Sequence, residues 1–178
     1  LVAKGVFSLE YIMKTFLYRL VLLVACVGTA PAASAAKLGY DPSADPFEQY
    51  HAAIERAERE DKLVLIIAGG DWCRWCHVLE RFLASDPQLE ERLNETFVVM
   101  KVYVGFDNYN DFFFSQLPPA KGAPHFWIVS PQKEILASQS TGMLEANKQG
   151  YDREAFLAFI DEWAAKVRSG ATRRVAAL

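Results

Sequence analysis

Cys73 and Cys76 are the residues of this chain whose types and spacing point most directly to chemistry, in the run Asp71-Trp72-Cys73-Arg74-Trp75-Cys76-His77. Two cysteines three residues apart on a helix share one face, a turn apart, with a Cα separation of roughly 5–6 Å that a disulfide can bridge. The thiolate is the nucleophile, and a helix N-terminus favours it because unpaired N–H groups and the positive end of the macrodipole sit there. Arg74 adds a positive charge acting in the same direction. The expected division of labour has Cys73, nearer the exposed end, attack a disulfide, while Cys76, one turn deeper, resolves the mixed disulfide.

The elements around the pair are readable from pattern. Leu63 to Ile67 is an unbroken β-favouring apolar run bounded by glycines, which predicts a strand covered on both faces. Ala68-Gly69-Gly70 reads as the turn into the cysteine helix, which is expected to bury Cys76, Leu79, Phe82 and Leu83 and to end near Ser85, with Asp71 as its cap. Asp45-Pro46 and Asp86-Pro87 each place a capping residue before a proline and predict two further helices. Strands are expected at Phe97–Val104, His125–Val129 and Glu134–Ser138, a short helix near 109–116, and a last helix after Asp152 with Phe156, Ile160, Trp163 and Val167 inward. Three consecutive phenylalanines, Phe112 to Phe114, cannot all enter one core, so part of that loop is a candidate surface. The order predicts an α/β domain with a central mixed sheet and helices on both faces, spanning residues 45–168.

Residues 1–35 read as upstream residues and an export signal. A short basic region from Met13 to Arg19 precedes the apolar run Leu20–Val27, and Ala33-Ser34-Ala35 has the form cut by signal peptidase. Cys26 closes a lipobox-like Leu23-Val24-Ala25-Cys26, so lipoprotein anchoring is an alternative to free export, and an uncleaved anchor is another. Residues 36–44 then read as a flexible leader and 169–178 as a tail. A net charge of −3 without a basic run gives no electrostatic footprint for nucleic acid. Of the three cysteines, only the C-x-x-C pair would remain after signal removal. In an oxidising compartment that pair points to redox exchange rather than to a disulfide scaffold.

Trp72-Cys73-Arg74-Trp75-Cys76 after the first strand, with Ala123-Pro124 before the third, resembles the thioredoxin-like family. Ser85-Asp86-Pro87 is similar to the segment following the active-site helix in the C-terminal domain of the electron transporter DsbD. Cys73–Glu80 and Leu93–Phe97 are similar to the thioredoxin-like domain of spermatogenesis-associated protein 20. The resemblance implies the thioredoxin fold, a Cys73–Cys76 disulfide, and a cis Pro124 whose preceding residue, Ala123, hydrogen-bonds an incoming peptide. The substrate-contacting set would be Trp72, Arg74, Trp75, Ala123 and Pro124. It further implies a periplasmic thiol–disulfide oxidoreductase, reductase more than oxidase, with protein disulfides as substrates, a membrane electron donor and no cofactor. Two positions depart from thioredoxins proper: Ile67 stands where they bury an aspartate, and Arg81 where a proline kinks the helix.

Other readings stay open at this stage. Cys73-Arg74-Trp75-Cys76-His77 satisfies the c-type haem attachment pattern, with Met100 and Met143 as thin candidates for a second axial ligand. Zinc lacks a second ligand pair at finger spacing, since only His51, His77 and His125 remain. A redox-silent binding module using the Phe112–Phe114 loop is a third class. His77 reads either as a proton shuttle or as an exposed helix position, and Glu80 as a proton acceptor or part of a solvated face.

Overall fold

The computed structural model describes residues 38–147 and 149–172. The export-signal residues, Cys26 and the end of the tail lie outside them. Among the described residues no helix is long and apolar enough to cross a membrane.

Strand β1 (Leu63–Gly69) is buried along its whole length, as an apolar run with no polar alternation requires. It runs two residues beyond the expected strand. Ala68 and Gly69, read as a turn, pair instead with Val102 and Tyr103 of the parallel strand β2 (Phe97–Tyr103). On its other side β1 pairs antiparallel with β3 (His125–Val129), which pairs with β4 (Ile135–Ser140), giving the order β2-β1-β3-β4.

Helices cover both faces because successive β1 side chains point to opposite sides. Leu63, Leu65 and Ile67 join a core with α2 (Arg74–Ala84), α3 (Pro87–Thr96) and α5 (Arg153–Arg168). Val64, Ile66 and Ala68 join the other with α1 (Pro46–Glu60) and Phe113 of the one-turn α4 (Asp111–Phe114). Three caps are as the sequence predicts. The carboxylates of Asp45, Asp86 and Asp152 accept from the backbone N–H groups of Phe47, Leu89 and Ala155 at 2.8–3.1 Å.

Two end segments differ from expectation. Residues 38–44 are strapped onto the domain rather than forming a flexible leader. Leu38 N–H donates to Asp71 Oδ1, Lys101 Nζ to Leu38 O, and Asn108 Nδ2 to Pro42 O. Tyr40 is buried in the core. At the other end Ala171 N–H donates to Lys166 O and Thr172 is buried, so residues 169–172 fold back on α5. The glycine-containing connection before α5 forms a 3₁₀ turn (Thr141–Leu144) and a small hairpin, β5 (Glu145–Ala146) with β6 (Gly150–Tyr151).

Candidate active site

The cysteine pair stands where β1 hands over to α2, at the carboxyl edge of the sheet. Cys73 and Cys76 are disulfide-bonded with a Cα separation of 5.2 Å, inside the range expected from helical spacing. Asp71, expected to cap α2, does not. Cys73 itself is the N-cap: its backbone is extended, and its Sγ accepts from Cys76 N–H at 3.1 Å. Asp71 is drawn the other way, its carboxylate taking the Leu38 N–H. The cap geometry explains the chemistry the site favours. Once Cys73 is free, the same N–H and the helix dipole both point at its sulfur and stabilise the thiolate.

Burial corrects one expectation. Cys73 retains only 3% of its surface and Cys76 none, so Cys73, expected at an exposed end, is recessed.

Exposure beside the sulfurs comes from Trp72, which is 57% exposed. Its ring is fixed by a 2.7 Å hydrogen bond from Nε1 to Val104 O. Two glycines make the slot for it. A β-carbon on Gly70 would stand 2.5 Å from the indole nitrogen, and one on Gly105 2.6 Å. With Trp72 held outward, a cavity of about 560 Å³ opens along the far side, lined by Trp72, Phe106, Tyr109, Phe114, Gly122, Ala123 and Trp127. Trp75 takes the opposite side, packing edge-on against Tyr151 at 5.7 Å, while Arg74 is exposed.

The Ala123–Pro124 peptide bond is cis, as the resemblance implies. Thr141 Oγ1 donates to Pro124 O at 3.0 Å, and Ala123 both packs against the cysteine-side core and lines the cavity. Trp72 and Ala123 are therefore brought to one rim. Arg74 and Trp75 do not line that cavity.

Covalent haem does not fit these residues. Attachment needs both sulfurs for thioether bonds and a ring nitrogen for iron, yet the sulfurs are buried and His77 Nε2 donates to Asp71 O at 2.7 Å. Among the described residues no three His, Cys, Asp or Glu side chains gather in metal-binding geometry. Glu80 is neither a free acceptor nor part of a solvated face; it forms a half-buried ion pair with Lys101 at 2.7 Å. Sequence reasoning missed that pair, Tyr40 and the close packing at Gly70 and Gly105. Lys101 gives a signal only in hindsight, as a lone charge within an apolar strand.

Residues 42–113 match the family Thioredox_DsbH, described as a protein of unknown function, DUF255. No curated protein sequence matches the chain significantly. Among solved structures, the disulphide isomerase of Xylella fastidiosa Temecula1 is similar at a TM-score of 0.62 and 23% identity, covering 72% of this chain and 98% of that one. A Thermus thermophilus thioredoxin is similar at 0.49 and 21%, covering 66% and 85%. The oxidised C-terminal domain of Neisseria meningitidis DsbD is similar at 0.49 and 14%, covering 67% and 96%. The Xylella likeness speaks for the fold. With the cis Ala123–Pro124 bond and the disulfide at the start of α2, it shows a thioredoxin fold that carries a C-x-x-C disulfide where β1 meets α2.

Proposed function

We propose that the protein is an exported thiol–disulfide oxidoreductase that exchanges disulfides with periplasmic protein clients, as a reductase more than an oxidase. The observation that carries this reading is the capping of α2 by Cys73 Sγ, which gives one sulfur a thiolate-stabilising donor while its partner lies in bonding reach. In the reductive direction the Cys73 thiolate attacks a client disulfide. A Cys73–client bond forms, and one client sulfur leaves with the electron pair and takes up a proton. Cys76 then attacks Cys73, the Cys73–Cys76 bond forms, and the second client sulfur departs as a thiol. Two electrons have moved to the client, and a membrane donor must return them, because the periplasm holds no thiol buffer of its own.

Trp72 and Ala123 form the client rim. Ala123 offers backbone hydrogen bonds to an extended client segment and Pro124 fixes its direction, with Arg74 and Trp75 on the other flank. Protein clients are supported by the apolar, aromatic character of the cavity lined by Trp72 and Ala123, and the periplasmic setting by the signal-like residues 13–35. The Xylella neighbour is described as a disulphide isomerase, an activity that uses the same parts.

The test is the equilibrium of the Cys73–Cys76 couple with glutathione. A potential near −270 mV, as in thioredoxin, is expected; one near −120 mV would make the protein an oxidase. The near-complete burial of both sulfurs favours one rival, a redox-silent binding module. Cys73→Ser separates the two. It should lower reduction of insulin disulfides at least roughly 10³-fold, as loss of a nucleophile does. A module would bind clients and act on the cell unchanged.

A further inference from the structure

Tyr40 lies outside every part of the exchange described above, in a segment whose sequence marks it as a leader. Its ring is buried with the cysteines, and its hydroxyl has no hydrogen-bond partner. A phenylalanine would fill the same space without burying an unpaired donor, so the hydroxyl needs a reason.

The reason lies at Gly69. A β-carbon there would stand 2.6 Å from Cys76 Sγ and 2.8 Å from both Tyr40 Cζ and Tyr40 Oη. The absent side chain leaves one small space into which the sulfur and the phenol both project. In the disulfide form Cys76 Sγ is a poor acceptor. Once the disulfide opens, Cys76 becomes a thiol and then a thiolate, and the only new acceptor in that space is its sulfur.

We infer that Tyr40 is a positioning residue for Cys76: its hydroxyl donates to the Cys76 thiolate and holds it ready to resolve the mixed disulfide. This rests on the oxidoreductase reading and deepens it. The step balances without the phenol giving up its proton. The Cys76 thiolate attacks Cys73, the Cys73–Cys76 bond forms, and the leaving sulfur departs with the electron pair. The proton lost by Cys76 passes to the departing thiolate or to water.

Burial, and then Glu80, Tyr151 and Asp71, raise the Tyr40 hydroxyl above the ordinary phenol range, so it stays protonated wherever the thiols titrate. The charged and titratable groups around this space come from several elements. Glu80 on α2 is paired with Lys101 on β2, whose ammonium also lies 5.8 Å from the Tyr40 ring. Tyr151 stands on β6, and Asp71 and His77 are joined through the Asp71 carbonyl. The heavy atoms nearest to the missing Gly69 β-carbon are nevertheless Cys76 Sγ and the Tyr40 Cζ and Oη.

The experiment uses the full chain carrying Cys26→Ser, reduced and mixed with Ellman's reagent in a stopped-flow instrument. Attack by Cys73 releases the first chromophore at a rate that rises with reagent. Attack by Cys76 releases the second at a rate that does not. Tyr40→Phe is expected to slow the second phase about tenfold near neutral pH and to move its pH midpoint upward, leaving the first phase within about twofold. Site-specific 3-fluorotyrosine at position 40, a stronger donor of nearly the same shape, should move that midpoint downward, and it serves if Tyr40→Phe does not fold. A second phase unmoved by either change, or both phases slowed alike, overturns the role of Tyr40 while leaving the exchange reaction standing. A parent chain that shows no second phase at all overturns both.

Discussion

On one face of the sheet Leu63, Leu65 and Ile67 meet α2, α3 and α5; on the other Val64, Ile66 and Ala68 meet α1 and Phe113. The two cores are filled differently. The first holds the disulfide and, packed among its apolar groups, Tyr40 and Tyr151, with the Glu80–Lys101 ion pair at its edge. The second is lined by apolar side chains among the described residues and ends in aromatic rings around an open cavity. The end of β1 and the residue after it decide both. Gly69 continues the first face and leaves room for Cys76 and Tyr40, while Ala68 and Gly70 continue the second and leave room for the cavity and the Trp72 ring. In the proposed function one strand thus serves reaction on one side and recognition on the other, with Trp72, Cys73 and Ala123 at the seam.

The most forceful way to break this comparison uses adjacent residues. Ile66→Ala and Ile67→Ala each remove buried atoms from a packed core, and each should cost about 2–5 kcal/mol by denaturant unfolding. Their effects on chemistry should diverge. Ile67→Ala faces the sulfurs and is expected to shift the glutathione equilibrium, since it opens the core at the position where thioredoxins bury an acid. Ile66→Ala should leave that equilibrium within about twofold once corrected for unfolded protein. Equal shifts would mean that the faces are not chemically separate.

A smaller effect is expected on the recognition side. Phe106 is 92% exposed and Phe112 73%, so replacing either by serine removes little packing. Stability should stay within about 0.5 kcal/mol. KM for an unfolded protein disulfide should rise roughly 3–10-fold, the scale of about 1 kcal/mol of lost apolar contact, with kcat and the rate on a small aromatic disulfide unchanged. A loss of rate on the small disulfide would tie the aromatic loop to the chemistry and dissolve the division.

The same division explains what the sequence made legible. Where one strong local signal fixes an element, the reading was close. The uninterrupted apolar run at Leu63, the Asp-Pro pairs before α1 and α3, and Asp152 before α5 each carry their own cap or period. The cysteine helix and the cis Ala123–Pro124 bond were also anticipated, the latter through family resemblance alone. What escaped depends on contacts far apart in the chain. Nothing near Tyr40 shows that a glycine 29 residues later leaves space for it beside Cys76. Asp71 has the right type and place for a cap, but the Leu38 N–H competes for its carboxylate. Gly69 and Gly70 look like a turn because glycine usually marks one. Here their missing side chains, rather than their backbone freedom, are what the site uses. The recessed position of Cys73 follows from tertiary packing that no local pattern encodes.

The gentlest probe of the comparison is acid, acting through His125. This residue opens β3 just after Pro124, is buried, and lies 4.6 Å from the Trp127 ring at the base of the cavity. Its Nδ1 accepts from Lys121 N–H at 3.3 Å, so Nε2 carries the proton and donates to Ser138 Oγ at 2.8 Å. Burial, and then the Lys121 charge, lower its pKa in the folded protein. In the unfolded chain it titrates near ~6.5. Below that value the unfolded state takes up a proton that the folded state refuses. Stability that is complete above about pH 6.5 is therefore lost as pH falls through the lower folded value. The melting temperature should decline from about pH 7 towards pH 5, before most carboxylates titrate, and His125→Gln, which keeps a donor and an acceptor, should flatten that decline. The redox equilibrium of His125→Gln should track the parent across the same interval, because His125 faces the recognition side and not the space at Gly69. A variant whose melting curve still falls with the parent's would move the acid sensitivity to other groups. One whose redox equilibrium departs from the parent's would show that the recognition face reaches the sulfurs after all.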